Sequence, residues 1–115
     1  MNNFLKETIR ELEVNGRTEA DVLWVGRDYI EYSKYPDRYP DRERITYKNT
    51  WENFCANANF EYDDGYGGTE IPMDLIVVGK DFWLERHEYD GSEWWEFKEM
   101  PEEPTETREL ELRRR

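Results

Sequence analysis

The one histidine of the chain, His87, stands among Glu85, Glu88 and Glu96 in the run LERHEYDGSEWWEF at 84–97. An imidazole beside carboxylates is the raw material of an acid–base pair or a metal site. One histidine with scattered acids makes neither the usual structural zinc set nor a nucleophile, base and orienting group in one arrangement, so a salt-bridged structural histidine is expected. Asp63-Asp64-Gly65 with Glu70 offers oxygen ligands for calcium but lacks the alternating ligand pattern of an EF-hand loop. Gly65, Gly67 and Gly68 resemble a phosphate-cradling loop only in outline, since acids flank them and no Lys-Ser or Lys-Thr follows. Residues 61–72 read instead as an acidic loop that extends a binding face. The sole cysteine, Cys55, falls among apolar helix positions and is expected to be buried and inert. It has no partner for an internal disulfide, which fits a reducing cytoplasm. No nucleophile, metal set or cofactor motif is left, so the expectation is a binding protein without a cofactor and not an enzyme.

The binding chemistry lies in the aromatics. Tyr89, Trp94, Trp95 and Phe97 crowd one turn, with carboxylates threaded among them. Strand side chains alternate faces, so Trp94 and Trp95 point to opposite sides of a sheet. Phe82, Leu84, Trp95 and Phe97 are assigned to the core. Trp83, Glu85, His87, Tyr89, Trp94 and Glu96 then share the other face, which would offer a basic partner apolar area and arginine-pairing acids. A helix, the 36–44 loop or the tail could instead cover it. A two-residue turn at Asp90-Gly91 would set Glu88 opposite Glu93 and Glu85 opposite Glu96, each like-charge contact costing roughly 0.2–1 kcal/mol. A four-residue loop, 90–93, avoids both contacts and is the expected connection. Both loops have an even count, so the faces are the same either way.

The elements that carry this hairpin follow from periodicity. Phe4, Leu5, Ile9 and Leu12 predict a helix over residues 4–14, capped by Asn2 or Asn3 and stopped by Asn15-Gly16. DVLWVGRDYIEYSKY at 21–35 reads as two strands around Gly26-Arg27-Asp28. PDRYPDRER at 36–44 reads as a loop, because its prolines exclude regular structure. Thr50 caps a second helix lined by Trp51, Phe54, Cys55 and Ala58. DLIVVGK, FWLERHEY and EWWEFKEM predict three antiparallel strands with turns at Gly79-Lys80 and Asp90-Gly91. DVLWVGRDY at 21–29 and DLIVVGKDF at 74–82 match closely enough to suggest a duplicated helix–hairpin unit. The expected fold is an α+β domain over residues 1–100, an antiparallel β-sheet of about five strands in α-β-β-α-β-β-β order packed against two short helices. A charged tail follows at 101–115, expected to dock on the domain as an edge strand or a frayed helix.

Charge narrows the partners. The net charge is −12, and residues 60–100 hold 12 acids against 3 bases, so the acidity belongs to the second half. Such a field repels nucleic acid and anionic membranes and attracts basic protein surfaces. The longest apolar run is LIVV at 75–78, too short to span a membrane, and the N-terminus shows no secretory pattern. At 115 residues the chain has room for one core.

The run FEYDDGYGGTEIPMDLIVVGKDFWLERHEYDGSEWWEF, with DVLWVG upstream, resembles a family of small acidic proteins of unknown function encoded in phages and prophages of Firmicutes. The similarity spans most of residues 1–100, while the 36–44 loop and the tail depart from it. The resemblance implies action on host defence in the bacterial cytoplasm, in the manner of anti-CRISPR proteins that occupy nucleic-acid channels. The expected partner is therefore a bacterial defence protein such as a CRISPR effector nuclease, bound by partial nucleic-acid mimicry through Trp83, Glu85, Tyr89, Trp94, Glu96, Asp63 and Asp64. Two alternatives stand beside it. One is a small-ligand or nucleotide-signal sponge, for which only Arg27, Arg38, Arg42, Arg44 and Arg86 could supply phosphate contacts. The other is a phage adaptor protein.

Overall fold

Asn3 accepts the Lys6 amide at 3.0 Å and so caps the first helix, α1 (Phe4–Val14). The helix ends at Asn15, and Gly16 takes a φ of +73°, the left-handed turn that glycine allows after a helix. The computed structural model describes residues 1–32, 42–65 and 68–113. Asn2–Asn3 also form a short strand, β1, and the chain continues through β2 (Val22–Tyr32), β3 (Arg42–Asn49) and α2 (Trp51–Ala58). Thr50 caps α2 by accepting the Asn53 amide at 3.1 Å. β4 (Glu61–Tyr62), β5 (Ile76–Gly79), β6 (Phe82–Tyr89) and β7 (Ser92–Glu99) complete the fold.

The fold is α+β, in the expected α-β-β-α-β-β-β order with two short strands added. Five antiparallel strands lie in the order β3-β2-β5-β6-β7, and β1 pairs separately with β4, Asn2 opposite Tyr62. Alternation gives the sheet two unlike faces. Val25, Val77, Phe82, Leu84 and Trp95 are buried on the inner face with Phe4, Leu12, Phe54 and Ala58 of the helices. Phe97, expected in this core, is half-buried at its margin, where the Arg17 guanidinium lies 5.6 Å from its ring. Phe4 is the centre of the packing: its ring stacks on Trp95 at 5.6 Å and meets Phe54 and Tyr62 edge-on. Trp95 donates its indole N–H to the buried Thr8 hydroxyl at 2.8 Å, which in turn bonds the Phe4 carbonyl.

Four expectations are corrected. The segment read as two strands over 21–35 does not break at Gly26-Arg27-Asp28, because β2 runs without interruption from Val22 to Tyr32, and 33–35 lie outside the described residues. A tight hairpin turn needs positive φ, which Gly26 does not adopt. Its lack of a side chain serves close packing instead, since a Cβ would sit 2.5 Å from the Tyr47 carbonyl oxygen and 2.8 Å from the Trp24 ring. The partner of β2 is β3, whose first residues Arg42–Arg44 belong to the segment read as a loop; the prolines lie in 33–41, outside the described residues. Nor are the two matching segments copies of one unit. The first lies wholly inside the 3-10 turn and β2, while the second spans β5 and a turn into β6, and the two pair antiparallel, Val25 opposite Val77. Among the described residues the tail takes up no regular structure: residues 101–113 are exposed throughout, with a local Arg108–Glu106 ion pair. Charge and proline outweigh the two leucines there.

Gly79 closes β5 against the ring of Phe82, and a Cβ at that position would lie 2.0 Å from a ring atom. Phe82 is 2% exposed and cannot move aside cheaply. Gly79→Ala should therefore destabilise the fold by about 1–3 kcal/mol in chemical denaturation, an overpacking cost.

Candidate functional site

The β6–β7 hairpin turns through Asp90 (φ +50°) and Gly91 (φ +87°), two successive positive-φ residues that match a two-residue turn. Tyr89 pairs with Ser92, so the expected four-residue loop is wrong and both feared like-charge pairs exist, Glu88 opposite Glu93 and Glu85 opposite Glu96. Each pair has a nitrogen side chain against it on its own face. Inside, Glu93 is 2% exposed and meets the Arg86 guanidinium at 3.1 Å. Its carboxylate also accepts the backbone N–H groups of Glu70 and Ile71, at 2.8 and 3.1 Å. Outside, Nε2 of His87 lies 2.7 Å from Oε2 of Glu85 and 2.6 Å from Oε2 of Glu96.

Arg86 anchors the hairpin from below. Its buried side chain lies among the rings of Phe4, Tyr62 and Trp95, 4.9–5.8 Å from their centroids. It donates to the Tyr62 hydroxyl at 3.2 Å, and that hydroxyl donates to Glu7. Burial pushes the Glu7 carboxyl above its ordinary range, against the Tyr62 hydrogen bond and the Arg86 charge that pull it down. Burial likewise raises the Tyr62 phenol, with Glu7 adding to the shift.

On the outer face the expected residues come together. Trp83, Glu85, His87 and Tyr89 of β6 share it with Trp94 and Glu96 of β7, and neither helix covers them. Tyr89 is 77% exposed and Trp94 37%. The Trp83 indole donates to Oε1 of Glu85 at 2.8 Å, which is the main reason the Glu85 carboxyl lies below its ordinary range, with the His87 contact adding to it. The His87 ring stacks on Trp94 with 6.4 Å between centroids. Asp63 and Asp64 are not on this face. They sit beyond the free edge of β7, where the Asp64 carbonyl accepts the Glu93 amide at 2.9 Å, and with exposed Glu70, Glu88 and Asp90 they make the turn end of the hairpin acidic.

The face is larger than the hairpin. Trp24 of β2 pairs with Val78 of β5 and Val78 with Trp83, while Ile76 pairs with Gly26 and Glu85. Trp24, Ile76, Val78 and Trp83 are each half-exposed, so an apolar middle crosses three strands. Beyond it, β3 carries Arg42, Arg44 and Lys48 on the same side, and Arg44 is paired with Asp28 through two hydrogen bonds of 2.8 and 2.6 Å. The face thus runs from a basic side through an apolar centre to an acidic end. Sequence reasoning missed Trp24, Ile76 and Val78 because it did not place β2 beside β5. The signal was present in VLWV and LIVV, whose apolar residues do not alternate and so supply both faces of their strands.

Among the described residues no group of three or more His, Cys, Asp or Glu is placed to hold a metal ion, and no helix is long and apolar enough to cross a membrane. Cys55 is half-buried rather than buried, and burial with the charges of Glu19 and Glu52 pushes its thiol up, away from the reactive thiolate. No protein family, curated protein or solved structure matches the chain.

Glu93→Ala should cost about 3–5 kcal/mol in chemical denaturation because it strands a buried guanidinium, whereas Glu85→Ala on the open face should cost less than about 1 kcal/mol. Hydrogen bonds from Arg44, then Thr46, lower the Asp28 carboxyl to about 2. A depressed carboxyl contributes stability above its unfolded value near 3.8 that is lost as pH falls through about 2. Carboxyl NMR titration should therefore find Asp28 ionised to about pH 2, and Arg44→Ala should return its midpoint toward 3.8.

Proposed function

We propose that this protein is an inhibitor that docks the outer face of its sheet on a basic, nucleic-acid-binding surface of a bacterial defence protein, a CRISPR effector nuclease being the partner implied by the resemblance to phage proteins. The observation that carries the reading is the uncovered face itself. Trp24, Ile76, Val78 and Trp83 supply an apolar centre, and Tyr89 and Trp94 stand exposed beside Glu85 and Glu96. An apolar middle with a charged rim is the usual anatomy of a protein interface. The acidic turn end, with Asp63, Asp64, Glu88 and Asp90, supplies the field that steers a basic partner and competes with phosphate for its lysines and arginines.

The sponge alternative has less to stand on. Two clefts are of ligand size, about 460 Å³ along α1 and about 390 Å³ beside Gly16, but each sets its bases against acids, Lys6 and Arg10 against Glu7 and Glu11 in the first and Arg17 and Lys80 against Asp21 and Asp81 in the second. The apolar cleft between α2 and the sheet, lined by Val25, Phe54 and Leu75 among others, holds about 200 Å³, below the usual range for a ligand pocket. The arginine at its rim, Arg27, is paired with Asp74 at 3.1 Å; Arg44 is held by Asp28, and Arg86 lies in the core.

Affinity capture from a bacterial lysate containing defence complexes, followed by challenge with nucleic acid and with salt, tests the proposal. One stoichiometric partner should be retained at low salt and displaced by DNA or RNA. Charge reversal at Glu85, Glu96, Asp63 and Asp64 should weaken that binding and flatten its salt dependence, and Trp83→Ala should weaken it without changing the salt slope. Binding indifferent both to the charge reversals and to salt would sink the mimicry.

A further inference from the structure

Glu85 and Glu96 face each other directly across the β6–β7 pair. Two carboxylates so placed repel unless a cation lies between them. Both point their Oε2 atoms at one atom, Nε2 of His87, at 2.7 and 2.6 Å. Glu85 is not free to swing away, because its other oxygen holds the Trp83 indole N–H at 2.8 Å. The His87 ring lies against Trp94, with 26° between the planes. A planar donor is thus gripped by two carboxylates and backed by an indole.

This arrangement fits a guanidinium better than the group it now holds. Imidazole reaches both acids through one nitrogen, whereas a guanidinium presents five N–H donors in a planar fork matched to carboxylates and stacks on aromatic faces. A lysine ammonium is compact and strongly hydrated, so it gains less from the same surroundings. The His87 side chain is 38% exposed and can leave for solvent without opening the core. The neighbours that would act on an incoming cation are Glu85 and Tyr89 of β6 and Glu96 and Lys98 of β7, while β5 presents only Ile76 and Val78.

We infer that His87 occupies, in the free protein, the seat that an arginine side chain of the partner takes in the complex. The inference rests on the docking function proposed above and names the chemistry of its central contact: an arginine lies between Glu85 and Glu96, over Trp94. His87 is then an internal competitor that keeps the two acids paired until the partner arrives.

Calorimetric titration with hexa-arginine and hexa-lysine peptides separates this inference from the broader proposal. The wild-type protein should bind hexa-arginine tighter than hexa-lysine by about fivefold, the size of an exposed cation–π contact. His87→Ala should tighten hexa-arginine binding further, and the double variant Glu85→Gln/Glu96→Gln should abolish the preference. Equal affinity for the two peptides in the wild-type protein, or weaker hexa-arginine binding in His87→Ala, would overturn the arginine seat and leave the basic-partner proposal standing. Failure of the wild-type protein to bind either peptide would overturn both.

Discussion

The buried Arg86 guanidinium is the group on which the rest of the molecule depends. Its contacts belong to three other parts of the chain: Glu7 and the Phe4 ring on α1, Tyr62 on β4, and Glu93 and the Trp95 ring on β7. A charge taken out of water must be compensated or its burial costs several kcal/mol. The compensation cannot be assembled unless α1, the hairpin and the 61–71 segment are all in place. Glu93 extends the demand by accepting the Glu70 and Ile71 amides, so the acidic loop is tied to the hairpin through a carboxylate. Glu7 stands at the margin of this cluster, and burial raises its carboxyl, with the charges of Asp64 and Glu93 adding a smaller push.

The same bond settles which side chains face out. Once Arg86 and Glu93 share the inner face, alternation sends Glu85, His87, Trp94 and Glu96 to the other side, and no register shifted by one residue can satisfy the buried pair. The helices follow the inner face because Phe4, Thr8, Leu12 and Phe54 find their partners there. Nothing comparable draws a helix to the outer side. Its half-exposed tryptophans are what remains when a five-stranded sheet has helices enough for one layer.

Much of this was legible in the residues. Both helices and their caps, the three-strand meander and the split between Trp94 and Trp95 follow from local rules, since periodicity and capping chemistry act over a few neighbours. What failed depended on contacts made at a distance. Repulsion between Glu85 and Glu96 looked decisive against the Asp90-Gly91 turn because His87 could not be known to lie between them, nor Arg86 to neutralise Glu93 from within. Gly26 read as a turn because glycine in a strand has two causes, and the crowding by Tyr47 and Trp24 that explains it comes from another strand and from a ring folded back. The candidate face was recovered in its β6–β7 half alone, where neighbours in sequence are neighbours in space. Its β2 and β5 half required knowing that Val25 pairs with Val77.

β2 is an eleven-residue strand, yet its pairing with β5 ends at Gly26. From Arg27 to Tyr32 its backbone pairs with β3 alone among the described residues, and Asp74 reaches it only at Arg27. Tyr29 and Tyr47 pack edge-on across it, and Arg27 stacks over Tyr29 at 4.3 Å, but among the described residues no third strand pairs with it there. A ribbon of two strands is of marginal stability by itself. Strands β5 and β6 have partner strands on both sides, as β2 does at Val25 and Gly26, while each strand of the ribbon has one, and local opening is cheapest where such contacts are fewest. One strand thus belongs both to a helix-backed sheet and to a two-stranded ribbon, and the step between them falls at Gly26.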